Sequence, residues 1–322
     1  MISRFGGPEV LELRDREAPP PGRGEARVRI HAAAVNRADL LQRAGNYPAP
    51  PDAPSDVPGM ELAGQVESVG QGVTDWVAGD RVLGLCGGGA YAEALTVPAR
   101  TLARLPAGMS FTDGAAIPEA FITAWDALIE QARLRAGETV LIHAVGSGVG
   151  TAAVQIARAI GARVVGTART ADKLARARAL GLDEAVCVEG GVFAPAVLRA
   201  TGGRGVDAVL DLVGGPYLAE DLACAAPRAR IMLVGLLAGA RADLDLARLL
   251  HRRVQLTGTM LRSRPLEEKI AAVQQLGRHL VPLFERGALR PVVDRVFPLA
   301  DAAAAHAYVA SNAGFGKVVL TV

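Results

Sequence analysis

A glycine-dense turn lies between an apolar segment and an alanine-rich one. The segment Thr139–His143 is rich in β-branched residues, and the next residues after the turn, Thr151–Arg158, have helical spacing. A strand, a tight turn and a helix in this order bring free backbone N–H groups and the positive end of a helix dipole to one point, which stabilises a pyrophosphate. We therefore predict a dinucleotide site whose turn is formed by Gly146, Ser147, Gly148, Val149 and Gly150.

The glycine pattern of this turn is degenerate. When the hexad from Val145 to Gly150 is read as G-x-G-x-x-G, only Gly150 is a glycine among the three named positions, because Val145 and Ser147 occupy the other two. The hexad alone is also compatible with an ordinary strand-to-helix turn. The strand before it and the helix after it favour the dinucleotide site.

Basic residues follow the next predicted strand, Arg163–Thr167, at the place where an acidic side chain would bind the ribose 2′-hydroxyl of NAD. A phosphate monoester carries about −1.5 to −2 charges near neutral pH. Two charge-assisted hydrogen bonds of about 1.5–3 kcal/mol each would favour NADP by about two orders of magnitude or more. We predict NADPH, with its 2′-phosphate bound by Arg169, Thr170 and Lys173.

Three other charged residues of this region have simpler interpretations. Asp172 lies at the predicted start of a helix, where an acidic side chain suits the dipole. Arg176 and Arg178 are interpreted as part of a solvated helical face.

Composition limits the class of protein. The chain has 322 residues, half of them hydrophobic and 4% aromatic, so it can form two domains with cores of Ala, Val and Leu. A net charge of +2 gives no reason to expect nucleic acid or a membrane surface as a partner. Cys86, Cys187 and Cys224 have no C-x-x-C spacing, and no apolar stretch of 18 residues occurs. These features predict a cytoplasmic protein without a disulfide framework.

The pattern of strands and helices changes twice along the chain. Residues 1–121 contain short strands separated by Gly and Pro, residues 122–261 alternate strands with helices, and residues 262–322 contain a helix and further strands. Six strands with helical crossovers in the middle segment indicate a doubly wound parallel sheet. The fold class is therefore α/β, with a β-rich domain interrupted by a nucleotide-binding one. The predicted strands are Ala26–His31, Ala63–Val69, Arg81–Leu85, Tyr91–Val97, Thr139–His143, Arg163–Thr167, Glu184–Val188, Asp207–Leu212, Arg230–Val234, Val254–Thr257, Val292–Phe297 and Lys317–Thr321, and the predicted late helix is Glu267–Arg286.

Several motifs, in order along nearly the whole chain, resemble the zeta-crystallin-type quinone oxidoreductases of the zinc-free medium-chain dehydrogenase/reductase family. They are Asn36–Pro48, Pro58–Gly64, Gly87–Glu93, Ala115–Trp125, His143–Ile156 and Gly316–Leu320. Within this family, Pro118-Glu-Ala, Ser147-Gly-Val-Gly and Leu261-Arg-Ser-Arg264 are most similar to the vertebrate branch that is induced by a tumour suppressor.

The resemblance implies a GroES-like catalytic domain built from both chain ends, a Rossmann domain inserted between them, NADPH as cofactor, and quinones as acceptors. It also implies a homodimer joined along the strand Val254–Gly258. Val188 occupies a position where some relatives have a tyrosine beside the 2′-phosphate. Further cofactor contacts implied by the resemblance or by the ends of the predicted strands are Asn36, Thr123, Val213, Gly214, Gly235, Leu236, Leu237, Phe315 and Lys317.

No metal is expected. Zinc alcohol dehydrogenases need Cys, His and a third ligand, and the matching positions here are Asn36 and Met60. The five histidines are dispersed, and each is interpreted as packing or surface. Glu61 follows Met60 and is compatible with either a catalytic role or a buried pair with an arginine. Hydride delivery to an acceptor that is already electrophilic needs orientation more than a Lewis acid.

Tyr47 and Asn36 are the predicted catalytic residues, and Tyr47 and Met60 the predicted substrate contacts. Tyr47 could stack on a quinone and supply the proton that follows the hydride. The same tyrosine, in a Gly-x-Tyr-Pro setting, also fits an enone or 2-enoyl thioester reductase, so it does not separate the two activities. A third alternative is an NADPH-binding protein of low turnover with a binding role. Arg262 and Arg264 have no assigned role.

Overall fold

The computed structural model describes residues 1–17 and 19–322. The chain divides into two compact units, the first formed by Met1–Ile122 with Leu261–Val322 and the second by Thr123–Met260. Among the described residues, no helix combines the length and the apolar character that crossing a membrane requires.

The first segment of the chain consists mainly of strands joined by short turns. Its elements are β1 (Glu25–Val35), α1 (Arg37–Arg43), β2 (Glu61–Val69), β3 (Arg81–Leu85), β4 (Ala94–Pro98), β5 (Leu102–Arg104), α2 (Phe111–Ala115) and α3 (Pro118–Trp125), with 3-10 turns at Pro8–Val10 and Ala99–Thr101. The prediction that a strand begins at Tyr91 is wrong, since β4 begins at Ala94. The reason is that the Tyr91 N–H donates to the Pro58 carbonyl in a loop, 3.0 Å away, instead of to a strand.

The second unit alternates strands and helices after a π-helical segment at Asp126–Gln131. Its elements are β6 (Thr139–Ile142), α4 (Gly148–Ala159), β7 (Arg163–Ala168), α5 (Ala171–Arg178), β8 (Glu184–Cys187), α6 (Ala194–Ala200), β9 (Val206–Asp211), α7 (Tyr217–Cys224), β10 (Ala225–Leu233), α8 (Leu246–Arg252) and β11 (Gln255–Gly258). The six strands pair in the order β11-β10-β9-β6-β7-β8, and every pairing is parallel. The predicted doubly wound sheet is confirmed.

Burial explains why the strands of the second unit read as continuous apolar runs. All four residues of β6 are buried, because helices cover both faces of a parallel sheet. At the start of α4 the chain needs a glycine: a Cβ at Gly150 would lie 2.3 Å from the Ala144 carbonyl oxygen. This close packing brings the N-terminus of α4 against the turn that follows β6.

The last segment returns to the first unit with α9 (Leu266–Gln275), α10 (Val281–Glu285), β12 (Val293–Pro298), α11 (Ala302–Ala310) and β13 (Lys317–Thr321). The prediction of one continuous helix from Glu267 to Arg286 is wrong, because a π-helical segment, Leu276–Leu280, separates α9 from α10. Pro282 explains the interruption, since proline has no N–H to continue an α-helical ladder and its ring clashes with the preceding turn.

Both chain ends contribute to one sheet of the first unit. Its strands pair in the order β12-β13-β1-β2-β3-β5, and β4 pairs with β1. In the antiparallel pair of β1 and β13, Val35 lies opposite Val318. This register brings Lys317, at the start of β13, next to Asn36, which directly follows β1.

Candidate functional site

A polar centre lies in the first unit where β1 ends. The Asn36 side-chain amide donates from Nδ2 to Glu61 Oε1, 2.8 Å away, and its Oδ1 accepts from Lys317 Nζ at 2.6 Å. The backbone N–H of Asn36 donates to Asp39 Oδ2 at 2.8 Å at the start of α1. Bonds at both ends of the amide fix its orientation.

Glu61 and Lys317 form a buried ion pair beneath this amide. Lys317 Nζ lies 2.7 Å from Glu61 Oε1, and the two residues are 5% and 0% exposed, respectively. Lys317 Nζ also donates to the Val35 carbonyl at 3.2 Å. The partner of Glu61 is therefore a lysine, and the arginine considered from the sequence is not the residue found here.

Glu119 joins this centre through the second carboxylate oxygen of Glu61. The backbone N–H of Glu119 donates to Glu61 Oε2 at 2.8 Å. Burial, followed by the nearby Glu61 charge, raises the pKa of the Glu119 side chain to about 8, although Lys317 opposes the shift. Glu119 therefore holds a proton at neutral pH, a role that its place in the Pro118-Glu-Ala motif does not reveal.

Tyr47 lies over the guanidinium of Arg262, whose Cζ is 5.3 Å from the centre of the ring. Arg262 is 5% exposed; its Nε donates to the Gly87 carbonyl at 2.7 Å and one terminal nitrogen donates to Gln42 Oε1 at 2.6 Å. The half-buried position of Tyr47 and the Glu119 charge raise the pKa of its phenol, while Arg262 lowers it. The structure thus gives Arg262 a contact with the predicted catalytic tyrosine. Met60 and Phe315, by contrast, are almost completely buried in this unit.

In the second unit, the predicted pyrophosphate turn leads directly into α4. Ser147 is the N-cap, and its hydroxyl accepts from the Gly150 N–H at 2.9 Å. In the described part of the chain, the N–H groups of Gly148 and Val149 make no hydrogen bond. Two open donors at the positive end of a twelve-residue helix fit a pyrophosphate.

The predicted 2′-phosphate residues lie between β7 and α5. Arg169 and Thr170 are exposed, Lys173 is partly exposed on the first turn of α5, and the Thr170 hydroxyl does not cap the helix. Val188 is buried in the core of this unit. The exposed basic residues and the uncommitted hydroxyl fit a phosphate group.

One turn follows β9, and another follows β10. The Ala238 N–H donates to the Val213 carbonyl at 2.8 Å, and Gly214 bridges to Gly239, so the turns are linked. Leu236 and Leu237 are each more than half exposed. Thr123, at the beginning of this unit, is 9% exposed. Gly235 lies in the second turn, where a Cβ would meet the Leu212 carbonyl oxygen at 2.5 Å.

Comparison with known proteins identifies the class. Residues 22–107 match the family profile described as the alcohol dehydrogenase GroES-like domain, and residues 148–278 match the profile described as zinc-binding dehydrogenase. A curated relative named quinone oxidoreductase, from Pseudomonas aeruginosa, is 36% identical over 99% of this chain and 98% of its own.

Solved structures agree with this class. One described as an NAD-dependent alcohol dehydrogenase superposes with a TM-score of 0.87 at 37% identity, covering 100% of this chain and 98% of its own. A mycobacterial protein solved with NADPH superposes with a TM-score of 0.88 at 31% identity, with the same coverage. The chain is a medium-chain dehydrogenase/reductase. It belongs to the quinone oxidoreductase type of that family.

The zinc in the name of the family profile does not fit the residues of this chain. An amide at Asn36 and a thioether at Met60 stand where Cys and His would bind zinc, and both are poor zinc ligands. The Lys317 ammonium forms an ion pair with Glu61 beside Asn36.

Proposed function

We propose that this oxidoreductase reduces quinones, ortho-quinones in particular, with NADPH. The observation that carries the proposal is the Asn36–Lys317–Glu61 network, which replaces a zinc-binding set with groups that are bonded to one another. Without a Lewis acid to acidify an alcohol, the acceptor has to be electrophilic by itself. A quinone meets this condition.

The cofactor part of the proposal rests on the second unit. NADPH, when bound, supplies the hydride. The N-terminus of α4, with Gly146 to Gly150, would hold the pyrophosphate, and Arg169, Thr170 and Lys173 would hold the 2′-phosphate. The remaining proposed contacts are Asn36, Thr123, Val213, Gly214, Gly235, Leu236, Leu237, Phe315 and Lys317.

The first unit supplies the proposed acceptor contacts. Tyr47, fixed over Arg262, would stack on the quinone and donate a proton to its oxygen. Met60 is 2% exposed, and its contact with the acceptor stays a prediction. Glu119, whose pKa is raised to about 8, would be the other source of this proton, and in its ionised form it raises the pKa of the Tyr47 phenol. Solvent can replace either proton source, because a hydroquinone anion is readily protonated.

We further propose a homodimer joined along β11. Among the described residues this strand pairs with β10 alone, and all four of its residues are exposed. Leu256 in this strand is 40% exposed, and Leu246 and Leu250 of the preceding helix α8 are 65% and 71% exposed. An open strand edge with an apolar border is a ready site for strand pairing between two copies. The cytoplasmic location expected from the sequence stays a prediction. The three cysteines form no disulfide among the described residues.

The experiment is an acceptor comparison at saturating NADPH. Cofactor oxidation is followed at 340 nm with an ortho-quinone, a para-quinone, a simple enone and a 2-enoyl-CoA. Fastest turnover with the ortho-quinone supports the proposal. Fast turnover with 2-enoyl-CoA and little with quinones would assign the chain to the enoyl thioester reductases, with Tyr47 as proton donor, and no turnover with tight NADPH binding would favour a binding role.

A further inference from the structure

A buried polar cluster lies at the carboxyl ends of β6 and β9 in the second unit. It consists of His143, Asp211 and Asp221, each of which is 0% exposed. His143 Nδ1 lies 2.7 Å from Thr167 Oγ1, and its Nε2 lies 2.7 Å from Asp221 Oδ1. The interpretation of His143 as ordinary packing therefore misses two short hydrogen bonds in the interior.

The second carboxylate of the cluster, that of Asp211, stabilises a turn by hydrogen bonds to its backbone. Asp211 Oδ1 accepts the backbone N–H groups of Val213 at 2.7 Å and Gly214 at 2.9 Å. These are residues of the proposed cofactor site. Asp211 thus connects the cluster to the turn after β9.

In each aspartate, one carboxylate oxygen makes no hydrogen bond to the described residues. Asp211 Oδ2 and Asp221 Oδ2 are both buried without a hydrogen-bond partner among the described residues. A buried acceptor without a partner destabilises the folded protein. Burial, with smaller contributions from Asp211 and Glu220, raises the pKa of Asp221 to about 6, and His143 opposes the shift. An oxygen of Asp211 and an oxygen of Asp221 lie within 4.8 Å of each other, so one donor between the two carboxyl groups would satisfy both free atoms.

The distances favour a proton over a metal ion in this cluster. One ligand atom from each of the three residues lies within 4.8 Å of the others, which by itself would allow a metal. However, the 2.7 Å separation of His143 Nε2 and Asp221 Oδ1 is a hydrogen bond. Two ligands of a tetrahedral zinc ion, with bonds of about 2.0–2.2 Å, lie about 3.3–3.5 Å apart.

We propose that His143, Asp221 and Asp211 form a hydrogen-bond relay that positions the Val213–Gly214 turn and so sets the affinity for the dinucleotide. The Thr167 hydroxyl donates to His143 Nδ1, and His143 Nε2–H donates to Asp221. A donor between Asp221 and Asp211 would complete the relay, and Asp211 accepts from the turn. The relay connects β7, the end of β6, α7 and the end of β9, so that loss of one link loosens the hold of Asp211 on the turn. The inference rests on the proposed function, which assigns this turn to the cofactor.

The test compares two substitutions of Asp221 in the full-length protein. The dissociation constants of NADPH and NADH are measured by cofactor fluorescence without any acceptor, and Tm is measured in parallel. Asp221→Asn keeps a donor for Asp211 and is expected to bind NADPH within about threefold of the wild type. Asp221→Ala removes the link and is expected to weaken binding about tenfold or more, the equivalent of one charge-assisted hydrogen bond.

Asp207→Ala is the matched control. Asp207 lies at the other end of β9, where it accepts the Thr139 N–H at 2.8 Å and pairs with Arg204 at 2.6 Å. Its loss is expected to lower Tm and to leave the dissociation constant unchanged. If Asp207→Ala and Asp221→Ala weakened cofactor binding equally, general destabilisation would explain the effect, and the relay would be overturned.

Other outcomes are equally decisive. Wild-type affinity in Asp221→Ala, or equal losses in Asp221→Asn and Asp221→Ala, overturns the relay and leaves the proposed function standing. A wild-type protein that binds neither NADPH nor NADH overturns both. If Asp221→Ala does not fold, Thr167→Val removes the far end of the relay without a cavity, and unchanged affinity in that variant contradicts the proposal.

Discussion

Tyr47 combines an aromatic face with a phenol whose pKa is set by opposing neighbours. Its ring lies over the Arg262 guanidinium, and this contact does not depend on the hydroxyl. Tyr47→Phe is therefore expected to keep the acceptor platform and to retain appreciable kcat/KM with an ortho-quinone, because solvent can supply the proton.

The size of the loss tests the role of the hydroxyl. A general acid contributes about 10²–10⁴-fold when it is indispensable. A fall of about four orders of magnitude for Tyr47→Phe would contradict solvent protonation. Tyr308→Phe, on helix α11, controls for the loss of a tyrosine hydroxyl, since the Tyr308 hydroxyl donates to Asp294.

The raised pKa of Glu119 predicts that the stability of the protein decreases as the pH rises. Its pKa in the folded protein, about 8, is above the ordinary value of 4.5, so the folded protein holds this proton over a range in which the unfolded chain has lost it. The contribution to stability is greatest below pH 4.5 and is lost as the pH rises through 8. Glu119→Gln keeps a neutral side chain, so its Tm should fall less than that of the wild type between pH 6 and pH 9.

The exposed residue Glu189 gives the control for this comparison. Glu189→Gln should follow the wild type at both pH values. Parallel decreases in Tm for the wild type and Glu119→Gln would show that the Glu119 carboxyl does not hold the proton.

At the scale of elements, the start of α4 depends on one glycine. A Cβ at Gly150 would meet the Ala144 carbonyl oxygen at 2.3 Å, and backbone atoms cannot move aside as a flexible side chain can. Gly150→Ala is expected to lower the free energy of unfolding by about 1–3 kcal/mol in a urea titration and to weaken NADPH binding. Gly277→Ala is the control, because a Cβ there would meet the Ala103 Cβ at 3.9 Å, an ordinary contact; equal stability of the two variants would contradict the packing argument.

The strands of the second unit could be predicted because each combines apolar, β-branched residues with a nearby turn signal. The helix after residue 266 could be located from the sequence. Its interruption could not, since the helical pattern of apolar residues continues through the π-helical segment before Pro282. The glycine-rich turn is local and therefore visible in the sequence. His143 and Asp221 are 78 residues apart, and Asn36 and Lys317 are 281 apart, so only the folded sheets bring these pairs together.

At the scale of the whole molecule, the open edge of β11 predicts self-association. Leu256→Lys places a charge in the middle of this strand, where natural edge strands use lysine to prevent pairing. Size-exclusion chromatography with light scattering should show a dimer for the wild type and a monomer for Leu256→Lys. Leu13→Lys is the control, since Leu13 is 66% exposed in the first unit and should leave the dimer intact. A Leu256→Lys dimer would place the interface elsewhere.

This chain is predicted to pass a hydride from NADPH, in preference to NADH, to a quinone. The most direct measurement is the ratio of kcat/KM for NADPH to that for NADH with one ortho-quinone. Two charge-assisted bonds to the 2′-phosphate predict a ratio of about one hundred or more, which Lys173→Ala should reduce about tenfold by raising KM for NADPH alone. A ratio near one, or no turnover of the quinone with either cofactor, would contradict the claim.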